Sequence, residues 1–277
     1  MLAAQRRARI LLELERDGTV KVTDLVSLLG VSDMTIRRDL VALQHEGLLE
    51  KVHGGALARA EPSTAEPGFE VNSARRLAEK EAIAAHAASL VQPGSAIAVS
   101  AGTTTHALAR YLVDIPDLTV VTNSVWVADV LHRGGGTGSK SVLLTGGLRT
   151  PSDALVGPLA IAALGSLHLD AVFMGVHGMD LLAGFSTPNL LEAETNRAMV
   201  RSARELIVVA DSTKWGIVGL STMARLDEAS LVVTDTGLPP QARASLADIV
   251  DQLVLVDPLP PEAGDRPAED RGDGIGG

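Results

Sequence analysis

Apolar residues at helical spacing open the chain. Ile10, Leu11 and Leu14 fall on one side of a segment predicted helical from Gln5 to Arg16, Arg6, Arg7, Arg9 and Arg16 fall on the other, and Asp17-Gly18 ends it with turn chemistry. After the extended run Thr19-Val20-Lys21-Val22, a second helix is expected from Thr23 or Asp24 to Leu29, with Gly30 as its left-handed cap. Ser32 then offers an N-cap oxygen, and Asp33 sits where the helix dipole favours negative charge. Ile36, Leu40 and Leu43 mark one face of a third helix that Gly47 ends, leaving Thr35, Arg37, Arg38, Val41 and Gln44 to other faces. LLEKVHGGA follows as two short extended runs that pair as a hairpin.

The pattern then changes. AEPSTAEPG, Ala60 to Gly68, concentrates proline, small residues and acid, and marks a linker that extends over residues 59–72. A long helix is predicted from Ser73 to Val91, ending before Pro93-Gly94. Apolar runs follow at Ala96–Val99, Leu118–Val121, Ser141–Leu144, Ala171–Met174, Leu206–Ala210, Leu231–Thr234 and Leu253–Val256, mostly separated by helix-compatible segments. That alternation predicts an α/β domain over residues 73–257 with a largely parallel sheet, behind an N-terminal winged helix-turn-helix over residues 1–58. PLPPEAGDRPAEDRGDGIGG, residues 258–277, is expected to be disordered.

Composition supports the same division. Of 277 residues 46% are hydrophobic but only 2% aromatic, so the core must be aliphatic, as suits parallel sheets covered by helices. Cysteine is absent, which excludes disulfides, thiolate metal sites and cysteine nucleophiles and is compatible with a reducing cytoplasm. No window approaches the roughly 18 apolar residues of a membrane span, so a cytoplasmic protein without a membrane partner is expected. The net charge of −10 is unevenly spread: residues 1–59 carry +1 and the remainder −11. Any polyanion must therefore bind the head.

Ser32, Thr35, Arg37 and Arg38 are small polar or basic residues near the start of the third helix, suited to phosphate oxygens and guanine edges in a major groove. A solvated basic face is the plainer reading of the arginine pair alone. The two preceding helices, the Gly30-Val31-Ser32 turn and the trailing hairpin favour a winged helix-turn-helix, with Lys51 and His53 in the wing placed for backbone or minor-groove contact. Asp39 would repel phosphate unless it faces an arginine or the first helix.

In the second domain, SAGTTTHALARYL sets Gly102, Thr103, Thr104 and Thr105 between a strand and a helix, where backbone N–H groups and hydroxyls can hold a phosphate. A tight turn with a good N-cap explains the same residues without a ligand. Further polar or glycine-rich loops fall at strand ends, at Thr122-Asn123-Ser124, Thr145-Gly146-Gly147, Gly175–Asp180 and Asp211-Ser212-Thr213-Lys214, where open α/β sheets bind ligands. Arg outnumbers Lys 19 to 5, so Lys214 just after a strand stands out as a point charge suited to phosphate. Of Glu192 and Glu194, two apart on a helix predicted from Asn189 to Ala203, at most one faces a pocket; Glu192 is favoured.

The ordered match of Ser32, Thr35 to Leu40 and His53-Gly54-Gly55-Ala56, behind an arginine-led first helix, resembles the DNA-binding domain of DeoR-family bacterial transcription regulators over residues 6–56. The order of the later motifs resembles the same family, whose C-terminal domain is similar in fold to ribose-5-phosphate isomerase and CoA transferases. The resemblance implies a repressor that binds double-stranded operator DNA and senses a phosphorylated sugar. A homo-oligomer is expected because one small head with so few basic groups binds weakly, and neither a metal nor a cofactor is expected. The resemblance further implies effector positions at Gly102 to Thr105, Thr122, Asn123, Gly146, Gly147, Gly178, Asn189, Glu192, Asp211 and Lys214. The family usually has Asp two residues before the Gly-Thr-Thr; here that residue is Ser100. Two other readings are a sugar-phosphate isomerase or transferase with an appended DNA-binding module, for which Glu192 would be the catalytic carboxylate, and a protein-binding adaptor.

Overall fold

The computed structural model describes residues 3–45, 48–52, 54–58, 69–73, 75–134 and 140–259. The chain divides into two compact units, residues 1–62 and 63–277.

The first unit runs α1 (Ala3–Asp17), β1 (Thr19–Lys21), α2 (Val22–Leu29), α3 (Asp33–His45), β2 (Leu49–Val52) and β3 (Gly55–Ala58). Turn chemistry sets the boundaries. Gly18 adopts φ +68° with its N–H on the Leu14 carbonyl, and Gly30 closes α2 at φ +63° by donating to Val26. The expected hairpin is part of a three-stranded antiparallel sheet, order β1-β3-β2, because Thr19–Lys21 pairs with β3. That pairing lets α2 begin at Val22, earlier than expected, and it needs Gly55, where a Cβ would lie 2.0 Å from the Val20 carbonyl oxygen. Ile10, Leu14, Leu25, Leu29, Ile36, Leu40, Leu43 and Leu49 close the core. The expected stop at Gly47 lies outside the described residues.

The second unit opens with α4 (Phe69–Ser73) and α5 (Leu77–Ser89). The single helix expected over Ser73–Val91 is thus divided, with Arg76 left-handed at φ +54° at the junction. The last residues of the stretch expected as linker are helical, and the Lys80 ammonium holds them by donating to the Asn72 carbonyl at 2.5 Å. Next come β4 (Ala96–Val99), α6 (Thr103–Leu112), β5 (Thr119–Thr122), α7 (Val125–Arg133) and β6 (Ser141–Leu144). A short hairpin, β7 (Leu148–Arg149) and β8 (Leu155–Val156), leads into α8 (Pro158–Leu164) and β9 (Leu169–Met174). β10 (Gly178–Asp180), β11 (Gly184–Thr187), α9 (Leu190–Arg201), β12 (Ala203–Val209), β13 (Ser221–Ala224), β14 (Leu231–Asp235), α10 (Pro240–Ala247) and β15 (Leu253–Val256) complete it. Leu259 donates its N–H to the Ala78 carbonyl, tying down the start of the expected tail; residues 260–277 lie outside the described set.

Seven strands form one parallel sheet in the order β15-β14-β12-β9-β4-β5-β6, and each overlaps one of the seven apolar runs, although Leu118 falls just before β5 and Ala210 just after β12. Side-chain alternation along these strands builds two cores. Ala98, Val172, Met174, Leu206 and Val208 pack on one face with Leu164, Met199 and Leu246 from α8, α9 and α10. Ile97, Val99, Phe173, Ile207 and Val209 pack on the other with Ile83, Leu108 and Val127 from α5, α6 and α7. From β4 the chain winds outward to β5 and β6, then returns to add β9, β12, β14 and β15 on the far side. The order therefore reverses between β4 and β9, the place where open α/β sheets leave a crevice at the carboxyl ends of their strands. β10, β11 and β13 form a separate antiparallel sheet, order β10-β11-β13. Among the described residues no helix is long and apolar enough to cross a membrane.

Candidate functional site

Two faces carry chemistry, one in each unit. In the first, Ser32 Oγ accepts the Thr35 N–H at 3.3 Å and lies 2.9 Å from Thr35 Oγ1, fixing the start of α3. Ile36, Leu40 and Leu43 turn inward. Asp39 is only 2% exposed. Its Oδ2 accepts Arg6 Nε at 2.5 Å, and its Oδ1 accepts Arg6 Nη2 at 3.2 Å and Arg7 Nε at 3.3 Å. The hydrogen bond to Asp39 raises the Arg6 pKa. Arg6 and Arg7 thus do not belong wholly to a solvated face, as the spacing suggested: Arg6 is 12% exposed, and both pair with the buried Asp39 carboxylate.

With Asp39 turned away, the outward stripe of α3 is Met34, Arg37, Arg38 and Val41, spaced i, i+3, i+4 and i+7. Arg37 donates from Nε to Asp33 Oδ1 at 2.5 Å, a bond that raises its pKa. Both partners are exposed, so the pair contributes little to stability and can be exchanged for a phosphate or base edge. Arg38 is exposed and has no ion-pair partner among the described residues. Met34 and Val41 are 64% and 49% exposed; the sequence placed Val41 off the buried face but did not single out Met34, and on a groove-facing helix both suit the methyl groups of thymine. Lys51 is half-buried on β2, and His53 lies outside the described residues.

In the second unit a cleft open to solvent lies at the carboxyl ends of β4, β9 and β12, at the reversal of strand order. Ala101, Gly102, Thr103 and Thr104 line it from the β4–α6 turn, Gly175 to His177 from the end of β9, and Ala210 and Lys214 from the end of β12. Gly102 is the N-cap of α6 at φ +152°, where a Cβ would stand 3.1 Å from Thr105 Oγ1. The unpaired N–H groups of the first turn of α6 make this rim attractive to an anion.

Gly102, Thr103, Thr104, Glu192 and Lys214 are the expected effector positions found in the cleft wall. The other eight are not among its lining residues. Thr105 Oγ1 donates to the Gly102 carbonyl, Thr122 Oγ1 to Val99, and Asn123 Oδ1 accepts the Ala101 N–H at 2.8 Å. Gly147 and Gly178 allow close backbone approaches, since Cβ atoms there would lie 2.4 Å from Val156 O and 2.1 Å from Ile217 O, and Gly146 turns the chain before Gly147 at φ +71°. Asn189 Oδ1 caps α9 by accepting from Leu191 and Glu192, and Asp211 Oδ1 accepts the Thr213 N–H, holding the turn that presents Lys214. Ser100 is fully buried; its Oγ accepts the Gly175 N–H at 3.0 Å and so clips the β4 loop to the β9 loop.

The cleft also contains residues that sequence reasoning missed. Asn196 follows Glu192 at i+4, a spacing that could have revealed it. Phe69 and Asn72 line the cleft from α4, within the stretch read as linker. Phe69 stacks on Trp126 with ring centroids 5.3 Å apart and meets His106 edge-on at 5.4 Å. Burial lowers the His106 pKa by disfavouring its charged form. Trp126 Nε1 in turn donates to Asp153 at 2.8 Å, beside Arg149. Burial acts to raise the Asp153 pKa, but hydrogen bonds from Trp126 and Arg149 hold it below the ordinary value.

Residues 6–61 match the DeoR-like helix-turn-helix domain, and residues 75–236 match the DeoR C terminal sensor domain. A provisionally named aga operon transcriptional repressor of Escherichia coli O157:H7 is 35% identical over 91% of this chain and 94% of its own length. The transcriptional regulator GlpR of Haloferax volcanii is 36% identical over 89% and 95%, and the lactose phosphotransferase system repressor of Staphylococcus aureus 33% identical over 79% and 87%. Among solved structures, a D-ribose-5-phosphate isomerase in complex with phospho-erythronic acid aligns at a TM-score of 0.37 and 15% identity, over 49% of this chain and 52% of that one. That likeness bears on neither ligand nor reaction. From its DNA-binding head to its sensor domain, the chain belongs to the DeoR family, a family of transcriptional regulators rather than enzymes.

Proposed function

We propose that the protein represses carbohydrate-metabolism genes in the cytoplasm: α3 reads double-stranded operator DNA, and a phosphorylated sugar bound in the cleft releases it. The observation that carries this reading is the cleft itself. It combines the N-terminal N–H groups of α6 and the Lys214 ammonium, suited to a phosphate, with the Glu192 carboxylate, suited to sugar hydroxyls. Repression of sugar operons by relatives supports the same conclusion. The effector positions that do not line the cleft act by shaping it, and Ser32, Thr35, Arg37, Arg38, Lys51 and His53 make the DNA contacts.

The chain works as a homo-oligomer, because one head with so few uncommitted cations binds weakly, and paired heads matched to two half-sites multiply affinity. Phe69 and Asn72 lie at the end of the stretch read as linker and also form part of the cleft wall. A ligand touching them is therefore placed to favour one arrangement of the heads over another, which is all that release requires. The effector must discriminate between the two states by a few kcal/mol, about 5.5 kcal/mol for a switch from 99:1 to 1:99.

The test is a gel mobility shift on DNA upstream of the protein's own and neighbouring genes, titrated with ribose 5-phosphate, glucose 6-phosphate, fructose 1-phosphate and fructose 6-phosphate. Sequence-specific retardation reversed by at least one ester is the expected result. Retardation that none of them reverses removes the sugar-phosphate reading, and absence of retardation at low salt removes the operator reading. Turnover of any ester above background would restore the isomerase alternative.

A further inference from the structure

Asn196 lies one helical turn after Glu192 on α9, so the two side chains leave the same face of the helix, and both line the cleft. It is 3% exposed, yet its amide is poorly matched by the protein. Among the described residues Nδ2 meets only the Met223 sulfur, at 2.9 Å, and Oδ1 has no hydrogen-bond partner. A thioether is a weak acceptor, and a buried carbonyl without a donor is costly, so packing alone gives no reason for an asparagine here. Turning the amide end for end would set the carbonyl against the sulfur lone pairs. Of the two ends of the amide, the carbonyl is therefore the one left unmatched, on a side chain that lines the cleft.

The neighbouring carboxylate is an acceptor too. Thr187 Oγ1 donates to Glu192 Oε2 at 2.6 Å, which orients the carboxylate and uses that hydroxyl's proton. Donors come from other segments, from the α6 N-terminus after β4 and from Lys214 after β12. A ligand that satisfies both sets must carry strong acceptors on one part and hydroxyl donors on another.

We infer that Asn196 is a specificity-determining residue: its carboxamide oxygen, beside the Glu192 carboxylate, accepts hydrogen bonds from the hydroxyls of a polyhydroxy phosphate monoester. The cleft thereby distinguishes such an ester from bare phosphate and from analogues lacking one hydroxyl. This rests on the sugar-phosphate reading above and adds which side chain reads the sugar.

The experiment is isothermal titration of the full chain with inorganic phosphate and with the four sugar phosphates named above, comparing wild type with Asn196→Leu and Asn196→Asp. A site built around a hydroxyl donor rejects ligands that cannot use it, so the tightest ester should weaken about tenfold or more in Asn196→Leu, while inorganic phosphate stays within about twofold. Asn196→Asp keeps an acceptor oxygen and should retain more of the ester's affinity than Asn196→Leu. Unchanged ester binding by Asn196→Leu, or equal loss of ester and inorganic phosphate, overturns the inference. Should Asn196→Leu fail to fold, monodeoxy forms of the tightest ester on wild type decide it: a loss of about tenfold for at least one form supports the role, and equal affinity for all of them overturns it. If wild type binds none of the four esters, the sugar-phosphate reading itself fails and this one with it.

Discussion

The two functional faces of this protein are built in opposite ways. The head presents a convex stripe on one helix, where four residues within a single eight-residue span, Met34 to Val41, are set side by side by helical geometry alone. The sensor presents a concave cleft assembled from α4, the ends of three parallel strands, α9 and β13. A convex site needs little beyond a helix held at the right angle. A concave one needs a sheet whose strand order reverses, because only there do neighbouring connections part to opposite faces and leave space between them.

This contrast is open to attack first through stability. Ile36→Ala should remove about 2–5 kcal/mol from the head, whose core is small, and so unfold it and abolish DNA binding. Met199→Ala, a cavity of similar cost in the larger sensor core, should leave both cleft and head functional. Calorimetry and limited proteolysis report this directly; a single shared transition, moved equally by both substitutions, would show that the two units do not fold separately.

Next in size is the DNA interface. Replacing Arg37 and Arg38 together with Ala should weaken operator binding roughly a hundredfold or more, at about 1–3 kcal/mol for each well-placed contact, without lowering the melting temperature. Operator affinity within a few-fold of wild type would take α3 out of the interface. Lys214→Ala should act only at the other face. Operator affinity is expected to persist, while the effector concentration needed for release rises about tenfold through loss of one charge-assisted contact. Normal release would remove Lys214 from the phosphate site.

The smallest effect concerns pH. Burial lowers the His106 pKa below 6.5, so between the folded and unfolded values the folded state binds fewer protons than the unfolded chain. The contribution to stability is complete above about pH 6.5 and is lost as the pH falls through that window. His106→Gln should therefore flatten the acid side of the stability profile slightly. An identical slope in wild type and variant would mean that the ring does not titrate within its contact with Phe69.

The local patterns were legible. Gly30, Ser32, Ile36 and Leu40 stated the turn and the buried side of α3, and the seven apolar runs marked the seven strands, because caps and periodicity act over a few residues. Gly147 and Gly178 were visible as glycines, but they earn their place through backbones of Val156 and Ile217, many residues away. The break at Arg76 was not legible: residues 73–91 carry no proline or glycine to announce it.

By itself, then, the sequence determined the helices of the head, the seven strands of the parallel sheet, the outward arginines of α3, the aliphatic cores and the anion-ready start of α6, since each depends on spacing within one segment. Tertiary structure decided what each polar group meets. It turned Asp39 onto Arg6 and Arg7, gave Ser100 to the Gly175 N–H, brought Phe69 and Asn72 into the cleft wall, and left the Asn196 carbonyl without a partner among the described residues. The physical reason is range: a hydrogen bond is satisfied or not only at contact distance, and which groups come within contact is fixed by how distant segments pack.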